Sequence, residues 1–303
     1  MSFINSGITL MILVAVYQSV LSAIAKDIAP SISTGTEVLA YYSIPLIYII
    51  PAMLCNMSHF KTNRLGFYFL RGMFASGSVF CFFYASKTIP LSTAALLFNL
   101  TPIFIPIFSR LFLGEVTSKQ VACGILISLA GVVVVMHPSY SGLVSCGSLI
   151  GLASGVLMAL AQVMLRYLSR IKEPVEKIVF YVYLTSTIFS LFVIVFESLI
   201  MGENKLVSHT QGSALHAITM LSILGVIGLI AQRTLTKAFQ YMPAAKLAPF
   251  LYISIPVSSL LGRVIWKQPI TADLYIGALL ILSGVLFITF EKNRELKCVA
   301  QQS

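Results

Sequence analysis

The stretch RGMFASGSVFCFFYASKTIPLSTAALLFNLTPIFIPIFSRLFLGEVTSKQVACGILISLAGVVVV, residues 71–135, decides the fold. It contains three apolar runs separated only by short polar breaks at Lys87–Pro90 and Gly114–Lys119. Each run approaches the ~20 residues that a helix needs to cross a hydrocarbon core about 30 Å thick. Lipid offers no hydrogen-bond partners, so a crossing segment must satisfy its own backbone. Runs of this length do so as helices rather than as the alternating ten-residue strands of a barrel. Three consecutive membrane helices are predicted here.

The same pattern continues on both sides. Hydrophobic residues fill 58% of the 303 positions and charged residues 10%, against about 45–50% and about 25% in soluble domains. Charges, prolines and polar clusters cut the chain into predicted helices over 7–25, 35–54, 66–86, 91–112 and 119–136, then 147–167, 176–199, 214–236, 245–265 and 271–290. The expected fold class is an all-α integral membrane protein with ten transmembrane helices. The residues before Gly7 carry no Lys or Arg and the apolar run continues to Ala25, which reads as a retained first helix rather than a signal peptide. The longest polar connections, NMSHFKTNR, EPVEK and GENKLVSHTQG, leave no room for a soluble catalytic domain.

The charge pattern sets an orientation. With the amino terminus inside, 15 of the 20 Lys and Arg residues fall in cytoplasmic segments and helix ends, which places both termini in the cytoplasm. The net charge of +10 lies in short loops and forms no continuous basic face, so topology rather than nucleic acid explains it. Cys55, Cys81, Cys123, Cys146 and Cys298 lack metal-site spacing and read as small buried thiols. Neither a metal nor a cofactor is expected.

The chain also repeats itself at an offset of 153 residues: Pro90 matches Pro243, Gly124 matches Gly277, Gly131 matches Gly284, and Arg110 matches Arg263. Helices three to five recur as eight to ten. Five crossings per copy is an odd number, so the second copy enters the membrane from the opposite face, an inverted repeat of the kind many secondary transporters use. The expected division is 1–140 for the first repeat, 141–290 for the second and 291–303 for a cytoplasmic tail.

The quoted stretch resembles, almost end to end, the signature of the EamA family of the drug/metabolite transporter superfamily. The elements that carry the resemblance are Ala85, Pro90, Thr101 with Pro102, Glu115, Gly124 and Gly131, and AQRTLTKAFQYMPAAKLAPFLYISIPVSSLLGRVIWKQPITADLYIGALLILSGVLF, residues 231–287, is a looser copy. The resemblance implies a ten-helix carrier of the inner or plasma membrane that holds a small organic metabolite in a central cavity: an amino acid or derivative, or a nucleoside-type metabolite such as S-adenosylmethionine. The chain departs from the family pattern in two respects. Tyr41 and Tyr42 stand where many relatives carry Arg, and Gln268 stands where a counterpart of Glu115 is expected.

On the predicted topology the bilayer centre is free of formal charge, with Arg71, Arg110, Arg166 and Arg233 at cytoplasmic helix ends. Glu37, at the start of helix two, is the candidate for ion coupling. Polar groups at mid-helix must find partners in a dry bundle. Gln18, Asn99 and Gln162 carry the most donors and acceptors, and Gln18 and Gln162 are expected at comparable places in the first helix of each repeat. Tyr42, Tyr84 and Tyr252 offer flat faces and hydroxyls to a solute, and Arg233 offers a positive charge to an anionic group. Pro102 and Pro256 interrupt helices four and nine and are candidate hinges.

An enzyme is not expected, because no titratable groups converge on a cleft and no zinc motif is present. Neither a pore-lining charged ring nor a nucleotide-binding loop is visible. The reading is a secondary-active carrier, a monomer or homodimer in contact with lipid and a small-molecule substrate, with a non-transporting accessory membrane protein as the alternative.

Overall fold

The computed structural model describes residues 2–28, 34–54, 64–136, 145–201, 214–267 and 272–302. Side chains are described for most of these, excepting chiefly the helix ends at 2–5, 25–28, 34–37, 196–201, 214–218 and 289–302. The described chain is helical throughout: α1 (Ser2–Ile28), α2 (Thr34–Leu54), α3 (Leu65–Thr88), α4 (Leu91–Phe98), α5 (Thr101–Leu113), α6 (Lys119–Met136), α7 (Cys146–Arg170), α8 (Val175–Met201), α9 (Ala214–Tyr241), the single turn α10 (Ala244–Leu247), a 3₁₀ segment (Ala248–Ile253), α11 (Ser254–Trp266) and α12 (Ala272–Gln302). Eight stretches among the described residues are long and apolar enough to cross a membrane, and Val38–Pro51 and Ala272–Ile288 are shorter apolar helices.

The interior and exterior are arranged as lipid demands. Leu111, Val116, Leu149, Val264 and Leu279 are exposed, whereas Ser19, Ser76, Ser78, Ser128, Ser154 and Ser186 are buried. These small hydroxyls bond neighbouring helices: Ser78 Oγ donates to the Ser154 carbonyl at 2.7 Å and Ser186 Oγ to the Gly72 carbonyl at 3.3 Å. Without a hydrophobic drive between helices in lipid, close approach and such bonds hold a bundle together.

The predicted helices over 91–112 and 245–265 are each broken in two. Pro102 has no N–H for the carbonyl of Phe98, and its ring crowds that carbonyl. The chain turns at Asn99 and Leu100, and Thr101 Oγ1 donates to the Phe98 carbonyl instead, at 2.6 Å. In the second half, Pro256 leaves the Tyr252 carbonyl in the same position, the backbone tightens into a 3₁₀ turn, and Ser254 Oγ donates to the Leu251 carbonyl at 2.7 Å. Thr101 and Ser254, and the Phe98 and Leu251 carbonyls they bond, are 153 positions apart, so the same hydroxyl-to-carbonyl bond recurs at both breaks, while the two prolines differ from that register by one residue.

The packing obeys the same register. The tightest pair is α6 with α12. A Cβ built on Gly124 would lie 2.8 Å from the Gly284 carbonyl oxygen, and one on Gly131 would lie 2.6 Å from that of Gly277. Gly124 and Gly277 are counterparts, as are Gly131 and Gly284, so the two contacts interchange when the halves are exchanged. Between them Ser128 Oγ donates to the carbonyl of its own counterpart, Ile281, at 3.3 Å. Rising numbers on α6 meet falling numbers on α12, which makes the pair antiparallel. The other pairings come in couples: α1 with α9 and α7 with α3, α3 with α8 and α9 with α2, α5 with α7 and α11 with α1, while α2 packs on α8.

Candidate functional site

Polar side chains gather at the end of the bundle where α7 turns into α8. Glu115, just past α5, accepts from Arg166 Nε at 2.7 Å, from Ser109 Oγ at 3.0 Å and from the Ala244 backbone N–H at 3.3 Å. Arg166 also donates from Nη1 to the Phe239 carbonyl. One carboxylate thus ties α5 and α7 to the start of α10, and its guanidinium partner reaches the end of α9. Both side chains are 11% exposed. Around them Lys177 pairs with Glu173 at 3.0 Å, Arg233 Nη2 pairs with Glu176 at 2.7 Å, and Gln240 Nε2 donates to the Glu173 carbonyl at 3.2 Å. This layer closes one end of the bundle.

Beneath it lies an aromatic layer around one charge. Arg71 sits two turns inside α3, is 3% exposed, and donates from Nη1 to the Ile178 carbonyl of α8 at 3.1 Å. Tyr42 of α2, Tyr68 of α3 and Tyr183 of α8 lie within electrostatic reach of the guanidinium. The Tyr68 and Tyr181 rings are 4.9 Å apart, Tyr41 meets Tyr42 edge-on at 5.1 Å, and Lys177 Nζ lies 5.9 Å from the Tyr68 ring centre. Arg71, expected near the end of its helix, lies two turns from the start of α3, and its guanidinium is buried in the bundle. Sequence reasoning placed Arg71 by its distance from the loop. The signal that would have found it is the concentration of tyrosines on helices two, three and seven, which supply polar company for a guanidinium.

The structure brings Asn99 and Tyr252 together. The helix break leaves the Asn99 carbonyl without an intrahelical donor, and the Tyr252 hydroxyl, on a fully buried ring, donates to it at 2.8 Å. Asn99 Nδ2 turns back to the Ala95 carbonyl at 2.8 Å. Pro102 and Pro256 are buried beside the two breaks. Tyr42 is buried in the aromatic layer, whereas Tyr84, 55% exposed, stands outside any enclosed group. Arg233 is held by Glu176. Gln162 Oε1 is buried without a hydrogen-bond partner among the described residues, and Gln18 is half-buried on α1.

Gln18 and Gln162 are not counterparts. Gly7 faces Tyr241 and Met242, and Gly147 faces Thr88 and Ile89. Since those neighbours differ by 153, Gly7 corresponds to Gly147 at an offset of 140, which pairs Gln162 with Ser22 and Gln18 with Met158. The glutamines lie one helical turn out of register. The Glu37 side chain and Gln268 lie outside the described residues, and no cluster of three or more His, Cys, Asp or Glu able to hold a metal is present among the described ones.

A multi-pass membrane protein is what this fold defines. Residues 5–137 and 145–290 each match the EamA-like transporter family, and the chain belongs to it. It is similar to the pseudopaline exporter CntI of Pseudomonas aeruginosa, 28% identical over 97% of this chain and 99% of the relative. A riboflavin transporter of Brucella anthropi is 24% identical over 82% of this chain and 84% of its own length. A protein solved by crystallography superposes with a TM-score of 0.79 at 20% identity, covering 95% of this chain and 98% of the other, which shows that the fold is shared.

Proposed function

We propose that the protein is a secondary-active carrier that moves a small organic metabolite across the inner or plasma membrane by alternating access. The observation that carries this reading is the reciprocity of the α6–α12 contacts, where Gly124 meets Gly284 as Gly277 meets Gly131. Contacts that interchange under exchange of the halves are what an inverted repeat produces, and two inverted copies enclose a site that either face can reach by rocking. In this reading the chain crosses ten times, in halves 1–140 and 141–290, with α4–α5 and α10–α11 as broken crossings hinged at Pro102 and Pro256. The end carrying the Glu115–Arg166 layer is cytoplasmic, as are both termini and the tail from 291, because Lys and Arg concentrate there.

Substrate contacts are assigned to Gln18, Tyr42, Asn99, Gln162 and Tyr252, with Gln162 foremost because its buried Oε1 lacks a partner among the described residues. The solute is a zwitterionic or ring-bearing metabolite: an amino acid or derivative, or a nucleoside-type compound such as S-adenosylmethionine. Relatives named as a pseudopaline exporter and a riboflavin transporter support a small-molecule substrate. Purified protein is screened for thermal stabilisation against such compounds, and those that stabilise it are assayed for uptake into proteoliposomes. One stabilising compound that is transported, with flux lost in Gln162→Ala, is the expected result. Absence of flux for every compound across the set would instead favour a non-transporting accessory role. Glu37 is the residue proposed for proton coupling, and an unchanged dependence of flux on pH in Glu37→Gln would remove it.

A further inference from the structure

We propose that Arg71, with the hydroxyls of Tyr42 and Tyr183, forms the site that receives the carboxylate of the transported solute. The anion site itself stands apart from the carrier reading, and only its role in transport rests on it. A guanidinium has five N–H donors in a planar fork. Among the described residues Arg71 uses one hydrogen bond, from Nη1 to the Ile178 carbonyl, and forms no ion pair. The carboxylates nearest the layer are committed elsewhere, Glu173 to Lys177 and Glu176 to Arg233.

A buried cation without a counter-ion is strongly unfavourable unless something completes its coordination. Tyrosine hydroxyls neutralise no charge, but each has a proton to donate, so Tyr42 and Tyr183 are suited to share an anion with Arg71 rather than to replace it. A carboxylate fits because two of its oxygens match the guanidinium fork in a bidentate pair. Its charge would offset the one that the described residues leave without an ion pair. The Arg71 position in the repeat is instructive too. Its counterpart 153 residues on is Leu224, buried in an apolar cluster, so the frame does not need a cation there.

The site lies directly beneath the ionic layer. Lys177, two turns short of Tyr183 on α8, belongs to that layer, and its ammonium lies over the Tyr68 ring. A carboxylate approaching from the α7–α8 end meets the layer first and Arg71 next.

The full-length protein in detergent is followed by thermal unfolding at constant ionic strength, with sodium acetate replacing sodium chloride and acetamide as the uncharged isostere. The expected result is a saturable rise in midpoint with acetate and none with acetamide. Arg71→Met, which fills the space without the charge, is expected to unfold no earlier than wild type in chloride and to lose the acetate response. Arg71→Lys keeps the charge but not the fork, and its acetate half-saturation is expected to rise at least tenfold. Equal responses to acetate and acetamide, or an acetate response unchanged in either variant, would overturn the site. Acetate stabilisation in a protein that moves no solute would support the site and sink the carrier reading. Transport of uncharged solutes without any acetate response would do the reverse.

Discussion

Replacing Gly131 by alanine tests the close approach of α6 and α12 on which the register depends. The new Cβ would lie 2.6 Å from the Gly277 carbonyl oxygen and 2.9 Å from both the Ile281 backbone nitrogen and its side chain. To reach 3.4 Å, where real Cβ contacts become ordinary, the helices must part by about 0.8 Å locally. A gap of that size forfeits about a quarter to a half of the dispersion energy of the atoms facing it. It also stretches the Ser128–Ile281 bond beyond its present 3.3 Å, and an interhelical bond of this kind contributes about 0.6 kcal/mol in a membrane bundle. Together with overpacking of about 1–3 kcal/mol, the expected loss is about 2–3 kcal/mol. Gly277→Ala meets the Gly131 carbonyl at 2.7 Å and, closer still, the Val135 side chain, so it is expected to cost at least as much. The double variant should lose clearly less than the sum, since one displacement relieves both clashes. Unfolding in mixed micelles measures all three, with Gly66→Ala, which meets nothing within 4 Å, as the control. Wild-type stability in Gly131→Ala, or strict additivity in the double variant, would refute the shared contact.

Glu115→Gln strips the buried Arg166 of its charge partner, and an uncompensated guanidinium at 11% exposure is expected to cost about 3–5 kcal/mol. Adding Arg166→Gln should recover most of that in the same unfolding assay. Lys267 ends α11 at φ 52, where its counterpart Gly114 ends α5 at φ 66; Lys267→Gly should therefore stabilise the chain by about 1 kcal/mol by relieving the left-handed strain, and a lower midpoint would contradict the shared cap. Tyr252→Phe removes the hydroxyl that donates to the Asn99 carbonyl and is expected to cost about 1–3 kcal/mol, whereas exposed Tyr84→Phe should unfold as wild type does.

The helices were legible because a membrane span announces itself by length and apolarity, and the 153-residue repeat could be read from Pro, Gly and Arg alone. The breaks at Asn99 and Tyr252 were half-legible. Pro102 and Pro256 pointed to kinks, but a proline frees a carbonyl without saying what will take it: Thr101 takes that of Phe98, Ser254 bonds the neighbouring Leu251 carbonyl, and Tyr252 bonds the Asn99 carbonyl 153 residues away. The burial of Arg71 was not legible, because distance along a helix from its loop says nothing about which face the side chain takes. Gln18 and Gln162 were misaligned for a related reason: the offset is 153 in helices three to five but 140 between α1 and α7, since the connections differ in length.

In the inverted-repeat reading, the repeated frame and its charges do different work. A frame whose contacts interchange between halves gives the two end-closed arrangements nearly equal packing energy, so any preference between them must come from residues without counterparts. Glu115 faces Arg166 at one end, but its own counterpart is Gln268, and the counterpart of Arg71 is Leu224. The ion pairs of Glu115, Glu173 and Glu176 therefore stabilise closure at the α7–α8 end alone. A ligand shifts such an equilibrium only by its differential affinity for the two states. An anion held by Arg71 beneath that layer is placed to supply it, because it can exert its effect only where the asymmetric charges are, and the symmetric helices around it need no more than to turn about their shared contacts.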